Sequence, residues 1–160
     1  MNNYIKYLVM DVDGTLTDGK IYMGDNGEVM KAFSIKDGCG IHDILIPSGI
    51  VPIILTGRKS TIVENRCSEI GIKDIYQGVL NKVKKLNTLV QDFSTVAYIG
   101  DDINDFSAME YIKDRGGIIG CPADAVQKVK DIADYVSTKN GGDGAVREFI
   151  EWLIFEIQKN

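Results

Sequence analysis

Short continuous apolar runs alternate along this chain with stretches whose apolar residues recur at helical spacing. The run Tyr-Leu-Val-Met at 7–10 is too short for a helix and rich in strand formers, and it stops at Asp11. A second such run covers 50–55 and a third 95–99, with shorter strand signals at 74–78, 117–121 and 133–136. Continuous rather than alternating apolarity marks strands buried on both faces. Between them, 40–48 carries Ile41, Ile44 and Leu45 at helical spacing and ends at Pro47 and Gly49. Ser60 caps a helix predicted to reach Ile70, with Gly71 as its stop, and Val83, Leu86 and Leu89 mark another over 82–90. Further helices are predicted over 106–112, 125–130 and 145–158. Residues 19–33 differ: two short apolar pieces flank Gly24-Asp25-Asn26-Gly27, a turn whose residues tolerate positive φ, which predicts a β-hairpin flap. Strand and helix otherwise alternate, so the expected class is α/β, a parallel sheet with helices on both faces.

Length changes this picture little: 160 residues make a single domain, 1–160. A formal net charge of −5 argues against nucleic acid or an anionic membrane as partner. Cys39, Cys67 and Cys121 are odd in number, widely spaced and without a C-x-x-C, the usage of reduced thiols in a cytoplasm. The first apolar run is too short for a signal-peptide core, and no stretch approaches a membrane span, so a cytoplasmic location is expected. His42 is the sole histidine, which leaves no zinc triad.

The chemistry is written at the ends of the strands. Asp11 and Asp13 lie two apart, so strand alternation predicts that both carboxylates project to one side into one small volume. Like charges that close call for a cation, and the economical reading is a Mg2+ site with a nucleophile. A merely solubilising acidic turn would explain Asp11 to Gly14 alone. Acid returns after the 95–99 run, in Gly100-Asp101-Asp102-Ile103-Asn104-Asp105. Thr56-Gly57-Arg58-Lys59 follows the second buried run, and Lys82 opens a helix. Parallel sheets gather their sites at the carboxyl ends of strands, where all of these fall. Together they supply phosphoryl transfer: Asp11 as nucleophile forming an aspartyl-phosphate, and Asp13 as general acid and base. Asp11, the Asp13 backbone carbonyl and Asp101 would hold Mg2+, with Asp105 helping through water. Thr56 and Lys82 would bind the phosphoryl oxygens.

In this order, Asp11-Val12-Asp13-Gly14-Thr15, Thr56, Lys82 and Gly100 to Asp105 resemble the four motifs of the haloacid dehalogenase-like phosphatases. A more specific resemblance, to the 3-deoxy-D-manno-octulosonate 8-phosphate (KDO 8-phosphate) phosphatases, rests on several further pieces. They are Asp18 to Glu28, Lys31-Ala32-Phe33, Asp37-Gly38, Thr56-Gly57-Arg58-Lys59, Arg66-Cys67, Tyr76-Gln77-Gly78 and Gly144-Ala145-Val146-Arg147-Glu148. Thr15 departs from the bulkier apolar residue frequent in that subfamily, and Asp143 adds a negative charge to the tail loop. The resemblance implies a Rossmann-like sheet, Mg2+, KDO 8-phosphate as substrate in lipopolysaccharide biosynthesis, and a homotetramer whose hairpins pack together. It also implies that the tail of one subunit, about 139–160, covers a neighbour's site, with Gly57, Arg58, Lys59, Arg66 and Arg147 toward the sugar acid. Alternatives are a nine-carbon ulosonate 9-phosphate, whose phosphatases resemble this chain but carry Glu at position 58, and a non-catalytic oligomerisation domain like that ending some CMP-sialate synthetases. Neither gap, from Asp13 to Thr56 or from Thr56 to Lys82, has room for a cap domain. Phe149, Ile150, Trp152, Leu153, Ile154, Phe155 and Ile157 exceed one buried helix face and predict a partner surface there.

Overall fold

The computed structural model describes residues 4–158. In chain order the elements are β1 (Tyr7–Met10), β2 (Tyr22–Gly24), β3 (Gly27–Met30), α1 (Ile35–Cys39), β4 (Val51–Leu55), α2 (Thr61–Glu69), β5 (Asp74–Tyr76) and α3 (Lys82–Leu89). There follow β6 (Val96–Ile99), α4 (Ile103–Lys113), β7 (Ile118–Cys121), α5 (Gln127–Ile132), β8 (Tyr135–Val136) and α6 (Ala145–Gln158). Six strands form one parallel sheet in the order β5-β4-β1-β6-β7-β8. Val9 of β1 lies opposite Ile53 on one side and Tyr98 on the other. The chain runs outward from β1 to β4 and β5, then crosses back to β6. The strand order therefore reverses beside the carboxyl end of β1, where open α/β sheets bind their ligands.

Strand alternation deals each strand to two cores. Leu8, Met10, Ile54 and Ile99 pack with Val63 and Cys67 of α2 and with Phe149 and Leu153 of α6. Val9, Ile53, Leu55 and Tyr98 pack on the other face with Leu86 of α3, Met109 and Ile112 of α4 and Val129 of α5. Burial on both faces is why these strands read as continuous apolar runs. The α/β class, the parallel sheet and the Rossmann-like form are as expected. The hairpin forms its own two-stranded sheet. Its turn takes positive φ only at Gly27, and Asp25 and Asn26 stay at negative φ. Among the described residues, only this hairpin separates β1 from α1, and only α2 and β5 separate β4 from α3.

Two helices begin earlier than the sequence pattern suggests. Ser34 caps α1 by accepting the Lys36 N–H at 3.2 Å, and the helix continues beyond Cys39 as a π-helical stretch, Gly40–Leu45. Gly38 and two charges had masked that start. α4 begins at Ile103, not near Phe106, because Asp102 and Asp105 form a capping box across its first turn. The breadth of α6 is largely absorbed by the chain itself. Phe149, Ile150 and Leu153 are buried, Ile154 packs against the same core, and Trp152 stacks on Tyr135 at 4.8 Å. Phe155 is exposed, and the side chain of Ile157 lies outside the described residues.

Candidate active site

β1 hands its last ladder bond to Asp11, whose N–H donates to the Ile99 carbonyl at 3.1 Å. The chain then coils: the Val12 carbonyl accepts the N–H groups of Thr15, Leu16 and Thr17 at 2.9–3.1 Å. Strand alternation ends there, and the two aspartates take different partners. Asp11 joins Asp101 and Asp105 in a cluster whose carboxylate oxygens lie within 4.8 Å of one another. The Asp13 carboxylate lies outside that cluster and accepts from Lys31 Nζ at 2.6 Å. Gly14 makes the approach of Asp101 possible. Its φ is +87°, and a Cβ there would fall 2.0 Å from Asp101 Oδ2.

Asn81 caps α3 and so presents Lys82 inward from the first turn. Its Nζ donates to Asp11 Oδ1 at 3.0 Å and to Asp105 Oδ1 at 2.7 Å. Asp105 is fully buried and fully occupied: it also accepts the Tyr98 hydroxyl at 2.6 Å and the N–H groups of Asp101 and Asp102 at 3.0 and 3.4 Å. The Thr15 hydroxyl donates to Asp101 Oδ1 at 3.2 Å. Burial, and then the Asp105 charge, push Asp11 well above the carboxylate range despite Lys82. The same two causes raise Asp101 to about 7. Burial works against the Lys82 ammonium, but Asp11 and Asp105 outweigh it and raise its pKa. One ammonium thus stands among three carboxylates and bonds two of them. The deficit of positive charge, with hard oxygen donors around it, fits a divalent cation such as Mg2+.

The remaining predicted residues spread around this centre. Thr56 is buried at the end of β4, its N–H donating to the Tyr76 carbonyl at 3.0 Å. Gly57 follows it, Arg58 reaches Glu28 of the hairpin at 3.5 Å, and Lys59 lays its stem over Gly78. Arg66 is held by Glu69 at 2.8 Å and lies over the Phe33 ring. Arg147 pairs with Glu151 and lines a separate cleft of about 390 Å³ with Lys36 and Lys139. Within one chain, neither Arg66 nor Arg147 contacts the aspartate cluster.

The tail loop is a built part of the site. The Gly142 N–H donates to the Thr15 carbonyl at 3.1 Å, and a Cβ on Gly141 would fall 1.9 Å from the Gly14 carbonyl oxygen. Asp37 caps α6 from another element, accepting the Arg147 N–H at 2.9 Å, while its Oδ2 finds no partner among the described residues. Burial lifts Asp37 to about 6, against the pull of N–H groups from Arg147, Gly144 and Val146.

Sequence reasoning had assigned no role to Lys31, Tyr98 or Asp37. A lone cation between the apolar residues Val29, Met30, Ala32 and Phe33 was the available signal for Lys31, and a hydroxyl inside a wholly apolar strand was that for Tyr98.

No protein-family model matches the chain. It is 44% identical over 154 residues to 3-deoxy-D-manno-octulosonate 8-phosphate phosphatase KdsC of Escherichia coli K12, covering 94% of this chain and 79% of that one. The chain belongs to the KDO 8-phosphate phosphatase family. Among solved structures, the family enzyme of Moraxella catarrhalis in complex with magnesium, phosphate and KDO has a TM-score of 0.87 at 39% identity, covering 99% of this chain and 90% of the other. A haloacid dehalogenase superfamily (subfamily III A) protein of Legionella pneumophila gives 0.86 at 32% identity, covering 99% and 86%. As in its family, then, this chain carries a haloacid dehalogenase-like phosphatase core.

Proposed function

We propose that this protein hydrolyses KDO 8-phosphate to KDO and phosphate, with Mg2+, through an aspartyl-phosphate on Asp11. The observation that carries the reading is the buried Asp11, 3.0 Å from Lys82 and clustered with Asp101 at the reversal point of the sheet. Asp11 attacks phosphorus as the ester P–O bond breaks, and Asp13 gives its proton to the departing sugar oxygen. Asp13 then takes a proton from the water that attacks the phosphoenzyme, which frees Asp11 and phosphate. Asp11, Asp101 and the Asp13 backbone carbonyl would hold Mg2+, which when bound offsets the charge of the carboxylates and the phosphoryl group. With its oxygens taken by Lys82, Tyr98 and two backbone N–H groups, Asp105 orients Lys82 and would help hold the metal through water. Thr56 and Lys82 bind the phosphoryl oxygens.

Gly57, Arg58 and Lys59 extend from the end of β4 toward the sugar, and a cation at 58 favours the eight-carbon acid over nine-carbon relatives. Arg66 and Arg147 serve a sugar carboxylate across subunits of a cytoplasmic homotetramer. Exposed Ile21, Met23, Val29 and Met30 on the hairpin support such packing, and Arg147, with Lys36 and Lys139, lines the cleft beside the tail, where Asp143, Glu148 and Glu151 balance their charge. Among the described residues, no helix is long and apolar enough to cross a membrane. A non-catalytic role gives no reason to bury Asp11, Asp105 and Lys82 together beside Asp101.

Phosphate release from eight-carbon ulosonate 8-phosphate and nine-carbon ulosonate 9-phosphate tests the reading. The first should be preferred at least about tenfold in kcat/KM, a difference of roughly 1.4 kcal/mol. Asp11→Asn should abolish release with an unchanged circular dichroism spectrum, and near-normal turnover in that variant would remove Asp11 as nucleophile.

A further inference from the structure

Lys31 carries a charge where the fold leaves it almost no water. Its side chain is 1% exposed, and its ammonium lies 2.6 Å from Asp13 Oδ1 and 3.1 Å from the Glu28 carboxylate. Glu28 in turn reaches Arg58 at 3.5 Å. Asp13, Lys31, Glu28 and Arg58 therefore form one row of alternating charge. It runs from the loop after β1, through the hairpin, to the loop after β4. An ammonium so buried is tolerated only when paired, and half of its pairing is spent on the residue assigned the proton transfers. Lys31 donates to Oδ1 alone, which leaves Oδ2 of Asp13 to exchange protons.

We propose that Lys31 is a positioning residue for departure of the leaving group: backed by Glu28, its ammonium fixes the Asp13 carboxyl so that Oδ2 faces the ester oxygen. The inference rests on Asp13 being the proton donor. In the step concerned, the Asp11–phosphorus bond forms, the ester P–O bond breaks, and the Asp13 proton moves to the leaving oxygen. A basic sugar alkoxide needs that proton, whereas a dinitrophenolate departs without it. Misplacing Asp13 should therefore penalise esters in proportion to the basicity of their leaving group. An anchor that only held the hairpin in place would penalise all esters alike.

The test measures kcat/KM for Lys31→Met, and for Lys31→Met combined with Glu28→Gln, which relieves the Glu28 carboxylate left behind. Substrates run from an alkyl phosphate to 2,4-dinitrophenyl phosphate at saturating Mg2+, below the thermal transition of every variant. kcat/KM reports steps only as far as phosphoenzyme formation, so hydrolysis of the intermediate does not enter. The alkyl ester should lose at least about tenfold and the dinitrophenyl ester no more than about threefold, with part of the difference restored by Lys31→Arg. Equal losses along the series, or none, would overturn the inference. Asp13→Asn separates the two levels of argument. If it steepens the series and the Lys31 variants do not, only the role of Lys31 falls; if it does not, the assignment of Asp13 falls with it.

Discussion

Replacing Lys82 with methionine asks whether the aspartate cluster is balanced by one internal cation and completed by an external one. Lys82 is 5% exposed, and its partners Asp11 and Asp105 are 3% and 0% exposed. Methionine fills the slot without charge and strands those carboxylates beside Asp101. Breaking a buried pair by removing one partner costs about 3–5 kcal/mol. At roughly 2–4 °C per kcal/mol for a chain of this size, the melting temperature in EDTA at pH 8 should fall by about 6–20 °C. The sign of the pH dependence follows from the carboxylates, which burial and mutual repulsion already push upward, Asp101 to about 7. They take up protons in the variant as pH falls, so its deficit should narrow toward pH 5. Mg2+ binds folded protein and supplies the missing charge, so millimolar Mg2+ should recover at least about 1 kcal/mol more in the variant than in wild type. Urea unfolding with EDTA and with Mg2+ measures both quantities. A deficit indifferent to Mg2+ would refute the cluster as a cation site, and no deficit in EDTA would refute Lys82 as its internal counter-charge.

Asp37→Asn should shift the pH dependence of stability. The folded carboxyl titrates at about 6 against 3.8 when free, so wild type loses about 3 kcal/mol as pH rises from about 4 to about 7 and the variant does not; parallel curves would count against it. Gly141→Ala places a methyl 1.9 Å from the Gly14 carbonyl and should cost about 1–3 kcal/mol and much of the activity, whereas Gly49→Ala, at positive φ but in open space, should cost about 1–2 kcal/mol and leave activity intact. Unchanged turnover and stability at 141 would mean the tail does not shape the catalytic loop.

The sheet was legible because burial on both faces writes a strand as a continuous apolar run, and the acids at 11, 101 and 105 end two such runs. The bounds of α6 were equally plain, since its apolar residues persist over 145–158 behind a glycine-rich stop. Local pattern failed where a residue served two purposes. Asp105 was read as a metal ligand and Asp102 only as part of an acidic motif, which hid their capping box and with it the true start of α4. Asp13 was read by strand alternation although β1 ends at Met10, so its partner Lys31 was not foreseen. Lys31 could not be placed at all, because its partner lies 18 residues earlier and is reached only once the hairpin folds back.

The tail shows how the contacts within one chain constrain the proposed assembly. As a sequence, Gly141 to Gly144 reads as a free loop able to swing into a neighbouring site. In the fold, Gly142 is bonded to Thr15, Gly141 is wedged against Gly14, its N–H donating to Asp124 at 2.9 Å, and Asp37 fixes the first turn of α6. A segment seated on its own catalytic loop cannot leave without reshaping that loop. Any service to a neighbour therefore falls to side chains at the rim, Arg147 foremost, delivered by the packing of whole subunits and not by the stroke of a lid. Substrate selection in such an assembly would depend on protein concentration in the range where the oligomer dissociates. Hydrolysis of a small aryl phosphate, which would need only the residues proposed to act on the phosphoryl group, would not.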